Sequence, residues 1–314
     1  MHMSYMSEKV IKELQQYIAE RYPDGPQSIG EMNRIADEFM SQHYGGIRDS
    51  SQEVIPVDVY DYLQLAEQDG RKGEKRKYLA KAAELDPTNA DVKLAQAKLE
   101  SKSPLDLVET LPALIQAEEK RLKDEGIYNR SKGDFWMVIE TRPYMRLLSE
   151  YVFNLTRCGL HTKAIQVGEE MLRLNRNDNL GIRFSMMALC AGTCNEKKAL
   201  RLYKQYKNEK DRAFFLLPLA LLYFKIDNWP KAKSVLETLK QHYGGTKKFF
   251  RSLKRRDMKF IVENYNDYSY TPGTDSELVN AYMAYDSIYD KDPYFFDWSD
   301  EALIVHRKPK KKSL

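Results

Sequence analysis

The side chains that most often bind metals or act as nucleophiles are few in this chain and widely separated. Its 314 residues include five histidines and three cysteines. Cys190 and Cys194 are four residues apart, so their thiols would be neighbours on a helix, and His161 is one further candidate ligand. A structural zinc site uses four ligands. The spacing therefore predicts no metal site, and we expect both cysteines to be small residues that face a core.

The motifs of common catalytic and cofactor sites do not occur either. The sequence has no glycine pattern of a dinucleotide-binding loop, a phosphate-binding loop or a nucleophile elbow. Residues 244–248 (GGTKK) resemble a phosphate loop in composition, but they follow a predicted helix rather than a strand. We therefore interpret them as a helix C-cap. The sequence predicts a protein that is not an enzyme, with no catalytic residue and no cofactor.

Charge is unevenly distributed toward the end of the chain. Residues 247–259 contain seven basic side chains against one acid, residues 263–301 contain ten acids against one lysine, and residues 307–312 are basic again. A surface that binds nucleic acid or another anion is one interpretation. A solvated helix face and tail, partly neutralised by the acidic block, is the other. The basic patch of the first interpretation consists of Lys248, Arg251, Arg255 and Lys259.

Composition favours a soluble globular protein. Lys and Arg number 50 against 46 Asp and Glu, and hydrophobic residues make up 42% of the chain. The longest apolar stretch, residues 214–224, is shorter than the ~18–20 residues that span a bilayer, and the first residues have no signal-peptide pattern. Three cysteines are too few for a disulfide framework. We therefore expect a cytoplasmic protein without a membrane-spanning segment.

Helical stripes recur in the second half of the chain. Ala164, Ala199 and Ala232 each open an apolar stripe with the spacing i, i+3, i+4 and i+7, at steps of 35 and 33 residues. A second set of stripes precedes them at the same steps, and only Arg183 interrupts its apolar character. A period near 34 with two helices per unit, the second opened by a small residue, is typical of tetratricopeptide repeats. The alanine would let the two helices approach closely.

The predicted architecture is an all-α, tetratricopeptide-type solenoid of helical hairpins with capping helices at both ends. Residues 1–45 are predicted to form an N-terminal helical cap, and residues 57–245 the repeats. Residues 246–300 are predicted to form C-terminal capping helices, including continuous helices over 246–264 and 275–289, followed by a basic tail at 301–314. Residues 126–133 are predicted to be a loop.

Three stretches carry a family resemblance. They are residues 135–146, which include ETRPYMR, residues 171–183 (MLRLNRNDNLGIR), and residues 270–274 (YTPGT). The chain resembles a bacterial family of cytoplasmic tetratricopeptide-repeat proteins that share motifs with the eukaryotic suppressor-of-tumorigenicity-seven proteins. The resemblance implies a repeat fold and a non-catalytic role. The residues also have structural interpretations, in which Thr141 caps a helix and Asp178 complements a helix dipole.

The repeat prediction leads to a hypothesis for function. In a superhelical scaffold, the first helix of each repeat lines a concave groove that binds a protein or peptide partner. The chain's own C-terminal helix is the alternative occupant of that groove. The alternative function is a regulatory nucleic-acid or anion binder that uses the basic patch and tail. From the phase of the stripes we predict these groove residues: Arg146, Glu150, Phe153, Arg157, Phe184, Phe214 and Lys225.

Overall fold

The computed structural model of this chain describes residues 5–44, 56–266 and 269–304. Within these ranges the regular secondary structure is helical and no β-strand occurs, so the predicted all-α class is confirmed. The chain divides into two compact units, Met1–Leu148 and Ser149–Leu314. None of the helices in these ranges is long and apolar enough to cross a membrane.

Unit 1 is a succession of helices that pack on their neighbours in the chain. Its described helices are α1 (Tyr5–Arg21), α2 (Ile29–Tyr44), α3 (Val59–Gln68), α4 (Lys72–Leu85), α5 (Ala90–Glu100), α6 (Pro104–Asp124) and α7 (Ile127–Arg130). Each helix from α3 to α6 packs on the next, and α1 packs on α3. Buried Leu63, Leu79 and Val92 form the shared core of this stack. The loop predicted at 126–133 contains α7, which is a correction of that prediction.

Local sequence explains where the helices of unit 1 begin. Asp58 accepts a hydrogen bond from the Asp61 amide and forms a capping box at the start of α3. Asn89 accepts from two amides of the first turn of α5, as the sequence predicts for Thr88 or Asn89. Ser103 caps α6. These caps satisfy amides that have no partner within the helix.

The N-terminal hairpin, α1 with α2, has a small apolar core of its own. This core consists of Tyr17, Ile35 and Phe39. The hairpin meets the other helices of unit 1 partly through charge, since the Lys9 ammonium lies 2.8 Å from Asp61. The sequence predicts a linker over residues 45–56, of which residues 45–55 lie outside the described part of the chain.

Unit 2 contains the repeating region and the C-terminal helices. The boundary between the units falls within α8 (Arg142–Arg157). The described helices that follow it are α9 (His161–Leu174), α10 (Ile182–Gly192), α11 (Glu196–Gln205), α12 (Ala213–Lys225), α13 (Trp229–His242), α14 (Thr246–Arg255), α15 (Lys259–Asn264), α16 (Asp275–Met283), α17 (Asp286–Tyr289) and α18 (Pro293–Ala302).

One turn geometry recurs four times in unit 2. Gly159, Cys194, Asp227 and Arg256 have positive φ angles of 75°, 56°, 58° and 55°. At each turn the next amide donates to a carbonyl five residues earlier, over 2.8 to 2.9 Å. This bond and the left-handed residue define a Schellman-type helix end. The turns join α8 to α9, α10 to α11, α12 to α13 and α14 to α15, which we call hairpins 1 to 4.

Small residues allow close helix packing in hairpins 1 to 3. Ala164, Ala199 and Ala232 are all buried, as expected from the recurring stripes. Between hairpins 1 and 2, Gly168 on α9 leaves space for α10, because a Cβ atom there would lie only 2.5 Å from the Met186 sulfur.

Two C-terminal helices that the sequence predicts to be continuous are each interrupted in the structure. The helix predicted over 246–264 ends at Arg255, where left-handed Arg256 begins a turn, and resumes as α15. The helix predicted over 275–289 is divided into α16 and α17. Residues 301–302 of the predicted tail belong to α18, and residues 305–314 lie outside the described part.

Candidate partner-binding surfaces

The structure brings two predicted groove aromatics together and buries one of them, Phe214, while Phe184 stays partly exposed. Phe184 on α10 and Phe214 on α12 have ring centroids 4.9 Å apart. The rings of Tyr270 and Tyr285, from the C-terminal segment, lie 5.3 and 6.5 Å from Phe214. Only 7% of Phe214 is exposed. The prediction that Phe214 contacts a partner is therefore corrected, because its ring is packed in the interior of unit 2.

Polar contacts fasten the C-terminal segment to α10 and α12. The hydroxyl oxygens of Ser185 and Tyr285 lie 3.0 Å apart, and Arg212 donates to the buried Glu277 carboxylate. Ile288 of the same segment is 1% exposed. Of the two occupants considered for this face, the structure contains the chain's own C-terminal segment, and that segment is part of the core.

The recurring turns give an internal register for the first helices of the four hairpins. Six residues before each left-handed turn residue lies an apolar side chain, and two residues before it the side chain is basic in three hairpins. We call the first set the apolar row: Phe153, Ala188, Leu221 and Phe250. We call the second set the basic row: Arg157, Gly192, Lys225 and Lys254. The two rows are four residues apart, so they share one face of each helix.

The apolar row is buried in hairpins 2 to 4 and open in hairpin 1. Ala188, Leu221 and Phe250 are fully buried, and Phe250 contacts Phe295 of α18 at 5.7 Å between ring centroids. Phe153 is 48% exposed. Hairpin 1 therefore presents an aromatic ring at a position that the other three hairpins bury.

The basic row also differs between hairpin 1 and the later hairpins, where its lysines are paired within the chain. Lys225 donates to Asp292 over 2.8 Å and to the Gly192 carbonyl over 3.1 Å. Lys254 donates to Glu301 over 3.1 Å, and this hydrogen bond raises the pKa of Lys254. The prediction that Lys225 contacts a partner is therefore corrected, because its ammonium is already paired within the chain.

Arg157 is the exposed member of the basic row. Its guanidinium lies 5.6 Å from the centre of the Phe153 ring, a cation–π geometry. No carboxylate in the described residues forms an ion pair with it. Glu150, one turn earlier on the same helix, is half-buried and accepts a hydrogen bond from the Asn154 amide.

The remaining predicted groove residue, Arg146, lies inside unit 1. Its guanidinium contacts Glu8 at 2.6 Å and Asp91 at 2.5 and 2.7 Å, and the ring of Tyr5 lies 5.6 Å away. Arg146 is 7% exposed. The groove prediction for Arg146 is corrected, because its guanidinium nitrogens already donate to the carboxylates of Glu8 and Asp91 in the same unit.

This buried ion cluster joins α1, α5 and α8. Burial raises the pKa of Asp91, and the nearby Arg146 charge opposes that shift. Burial, together with the Asp91 charge, also raises the pKa of Tyr5. Arg142 also lies 3.5 Å from Glu8, so two buried carboxylates and two buried guanidiniums stabilise one another. The cluster therefore acts as a structural tie.

The surrounding motif residues are structural as well. Arg142 donates to the Trp136 carbonyl over 2.8 Å, and Tyr144 is buried with its ring against Tyr128. The cap predicted for Thr141 is wrong, because its hydroxyl donates to the carbonyls of Phe135 and Val138 in the preceding loop.

The second motif explains why an arginine interrupts an apolar stripe. The Asp178 carboxylate accepts from the amides of Ile182 and Arg183 over 2.7 and 3.0 Å, which agrees with its predicted place at a helix start. Arg183 also donates from its side chain to Asp178 and to Glu209. Arg183 is therefore a polar tie between the start of α10 and the segment before α12.

The basic patch is exposed, as its residue types predict. Lys248, Arg251, Arg255 and Lys259 all lie on the surface. Arg251 lies 3.7 Å from Asp300 of α18, so an acidic helix borders the patch. Phe249 and Phe250 are fully buried, as expected, and offer no ring for base stacking. The amide of Gly245 donates to Asp275, so this segment is occupied within the chain. The C-cap interpretation is corrected, because Tyr243 caps α13 and Gly245 precedes α14.

The two cysteines do not lie side by side. Cys190 is buried within α10, where burial raises the pKa of its thiol to about 11. Cys194 lies beyond the helix end and is exposed, so the expectation that it faces a core is wrong. Burial, and then the Lys291 charge, lower the pKa of His161. Among the described residues no group of three or more histidine, cysteine or acidic side chains is placed to hold a metal ion.

Sequence reasoning missed the register that relates Phe153 to its counterparts. The groove prediction groups Phe153 with Phe184 and Phe214, whereas the turns align it with Ala188, Leu221 and Phe250. The 35- and 33-residue steps of the stripes also align it with Ala188 and Leu221, whereas Phe250 needs the turn residues, three of which are not glycine. The partners of Arg146 have no local signal, because Glu8 and Asp91 are 138 and 55 residues away.

Comparison with known family models, curated proteins and solved structures produced no match to this chain.

Proposed function

We propose that this protein is a non-catalytic interaction scaffold of tetratricopeptide type that binds a polypeptide segment of a partner. The observation that carries the proposal is that Phe153 and Arg157, the hairpin 1 members of the apolar and basic rows, are exposed; we call this pair the open end of the rows. Hairpins 2 to 4 bury their apolar row, and in hairpin 4 Phe250 packs against Phe295 of the C-terminal segment, whereas Phe153 of hairpin 1 is exposed beside Arg157.

The repeat assignment rests on period and turn geometry. The left-handed turn residues are Gly159, Cys194 and Asp227, at steps of 35 and 33 residues, and the same turn returns at Arg256 after 29. Buried Ala164, Ala199 and Ala232 follow the same period. A period near 34 with paired helices is the pattern of tetratricopeptide repeats.

The residue types at the open end suit protein recognition. Aromatic residues and arginine are enriched among the side chains that contribute most to binding free energy. The opposite side of α8 carries buried Tyr151, Val152 and Leu155, so the helix is held rigidly while Phe153 and Arg157 face outward. A rigid helix that presents an aromatic ring and a charge is a suitable anchor.

Affinity capture tests this function. Full-length protein carrying Phe153→Ala is expected to lose a partner that the unaltered protein recovers, while its melting temperature stays close to the original because the ring is half exposed. Leu160→Ala is the matched control, since Leu160 is 44% exposed in the same unit. Equal recovery by both variants, or an unfolded Phe153→Ala protein, would contradict the proposal.

The basic patch provides weaker support for nucleic-acid binding. Asp300 and Glu301 lie beside Arg251 and Lys254 and would repel a polyphosphate chain. Buried Phe249 and Phe250 remove the aromatic platform that single-strand binders use.

A further inference from the structure

We infer that the open surface formed by Phe153 and Arg157 binds an acidic polypeptide segment that carries an aromatic side chain. The inference rests on the proposed function and adds the chemical class of the partner. It comes from the chain's own C-terminal segment, which already occupies the equivalent positions of the later hairpins.

Hairpin 4 shows the contact in full. Its apolar-row residue, Phe250, packs against Phe295, and its basic-row residue, Lys254, pairs with Glu301 at 3.1 Å and Asp300 at 3.8 Å. One helix, α18, supplies both the ring and the carboxylates. A segment with an aromatic residue and with acidic residues five and six positions later can therefore contact the apolar row and pair with the basic row at the same time.

Hairpins 2 and 3 continue the same arrangement. In hairpin 3, Leu221 is buried and Lys225 pairs with Asp292 at 2.8 Å. In hairpin 2 the basic-row position is Gly192, where a Cβ atom would lie 3.2 Å from a methyl carbon of Ile288. The C-terminal segment thus comes so close at hairpin 2 that a long basic side chain has no space there.

Hairpin 1 has the same two residue types, and among the described residues neither forms a ring contact or ion pair with the C-terminal segment. That segment approaches hairpin 1 at Lys291, whose ammonium would lie 3.5 Å from a Cβ atom at Gly159. Phe153 occupies the position of Phe250, and Arg157 occupies the position of Lys254. Arg157 has no acidic partner in the described part of the chain, and a guanidinium pairs with carboxylates in bidentate geometry. The two residue types that contact an acidic aromatic helix in hairpin 4 are therefore repeated in hairpin 1, where both side chains are exposed.

The probe for this inference is a labelled synthetic peptide with the sequence of residues 290–304, DKDPYFFDWSDEALI. Fluorescence anisotropy measures its binding to the full-length protein. Arg157→Glu and Phe153→Ser are each expected to weaken binding about tenfold, which corresponds to about 1.4 kcal/mol. Lys197→Glu is the matched charge control, because Lys197 is exposed and forms no ion pair among the described residues.

A second peptide, with Asp297→Asn, Asp300→Asn and Glu301→Gln, is expected to bind at least tenfold more weakly if carboxylates are recognised. Equal binding of both peptides would overturn the inference. Binding that depends on Lys254 and not on Arg157 would also overturn it, because the peptide would then be exchanging with α18. A short DNA duplex that displaces the peptide and itself needs Arg157 would assign the surface to phosphate instead.

The outcome separates this inference from the proposed function. If the peptide does not bind while Phe153→Ala still abolishes affinity capture, the partner class is wrong and the scaffold function stands. If these substitutions change neither peptide binding nor affinity capture, both the scaffold function and the partner class are rejected.

Discussion

Two arginines on one helix have opposite environments in this protein. Arg146 and Arg157 both lie on α8, and the stripe pattern assigns them to one groove. Arg146 is held between Glu8 and Asp91 in the interior of unit 1, whereas Arg157 is exposed, lies beside the Phe153 ring and forms no ion pair among the described residues. Local sequence shows the same residue type at both sites, so the difference arises from helices that are remote in the chain.

The buried arginine should therefore control stability and the exposed one should not. Arg146→Leu leaves the buried Asp91 without its cation and Glu8 with Arg142 at 3.5 Å. Loss of one partner from a buried ion pair costs about 3–5 kcal/mol. Arg157→Leu removes one exposed cation–π contact, worth about 0.5–1 kcal/mol. Urea unfolding of the two variants measures both values. Equal destabilisation would show that the Glu8–Arg146–Asp91 cluster does not stabilise the fold.

At the scale of helices, the sequence predicts best where the signal is local. Apolar periodicity and capping residues predict helices over 29–44, 89–100 and 104–125, and α2, α5 and α6 begin and end within one residue of these bounds. Prediction fails where a helix is divided without proline, because left-handed Arg256 has no strong sequence signal for its conformation. The cover over Phe214 could not be derived either, since Tyr270 and Tyr285 approach it from 56 and 71 residues away.

The seam between paired helices is the element-scale feature that the sequence predicts directly. Ala199 is 1% exposed on α11, which packs on α10. Ala199→Leu adds three carbon atoms to this seam, and overpacking costs about 1–3 kcal/mol. Lys204→Leu places the same side chain on the exposed side of α11 and should change stability by about 0.5 kcal/mol or less. Thermal unfolding of both variants measures this difference in stability. Equal melting temperatures of the two variants would show that Ala199 does not lie in the packed contact between α10 and α11.

Across the whole molecule, burial raises the pKa of several tyrosines, and these shifts make the stability of the protein depend on pH. The chain has 21 tyrosines, and several are buried in both units. Burial, with added repulsion from Glu8 and Asp91, raises the pKa of Tyr60 in unit 1 to about 12. Burial raises the pKa of Tyr285 in unit 2 to about 12 as well. Tyrosines in an unfolded chain ionise near pH 10.

These shifts predict loss of stability in alkali. A tyrosine whose pKa is higher in the folded state contributes stability that is fully present below pH ~10 and declines as pH rises toward ~12. At pH ~11 the contribution lost through Tyr285 is about 1 kcal/mol. The free energy of unfolding of Tyr285→Phe should therefore fall less between pH ~8 and ~11 than that of the unaltered protein, by about that amount. Tyr294→Phe is the control, because Tyr294 is 77% exposed and its removal should leave the alkaline decline unchanged. Parallel declines for all three proteins would show that the Tyr285 hydroxyl ionises as freely in the folded chain as in the unfolded one, and its burial between α10 and the C-terminal segment would have to be rejected.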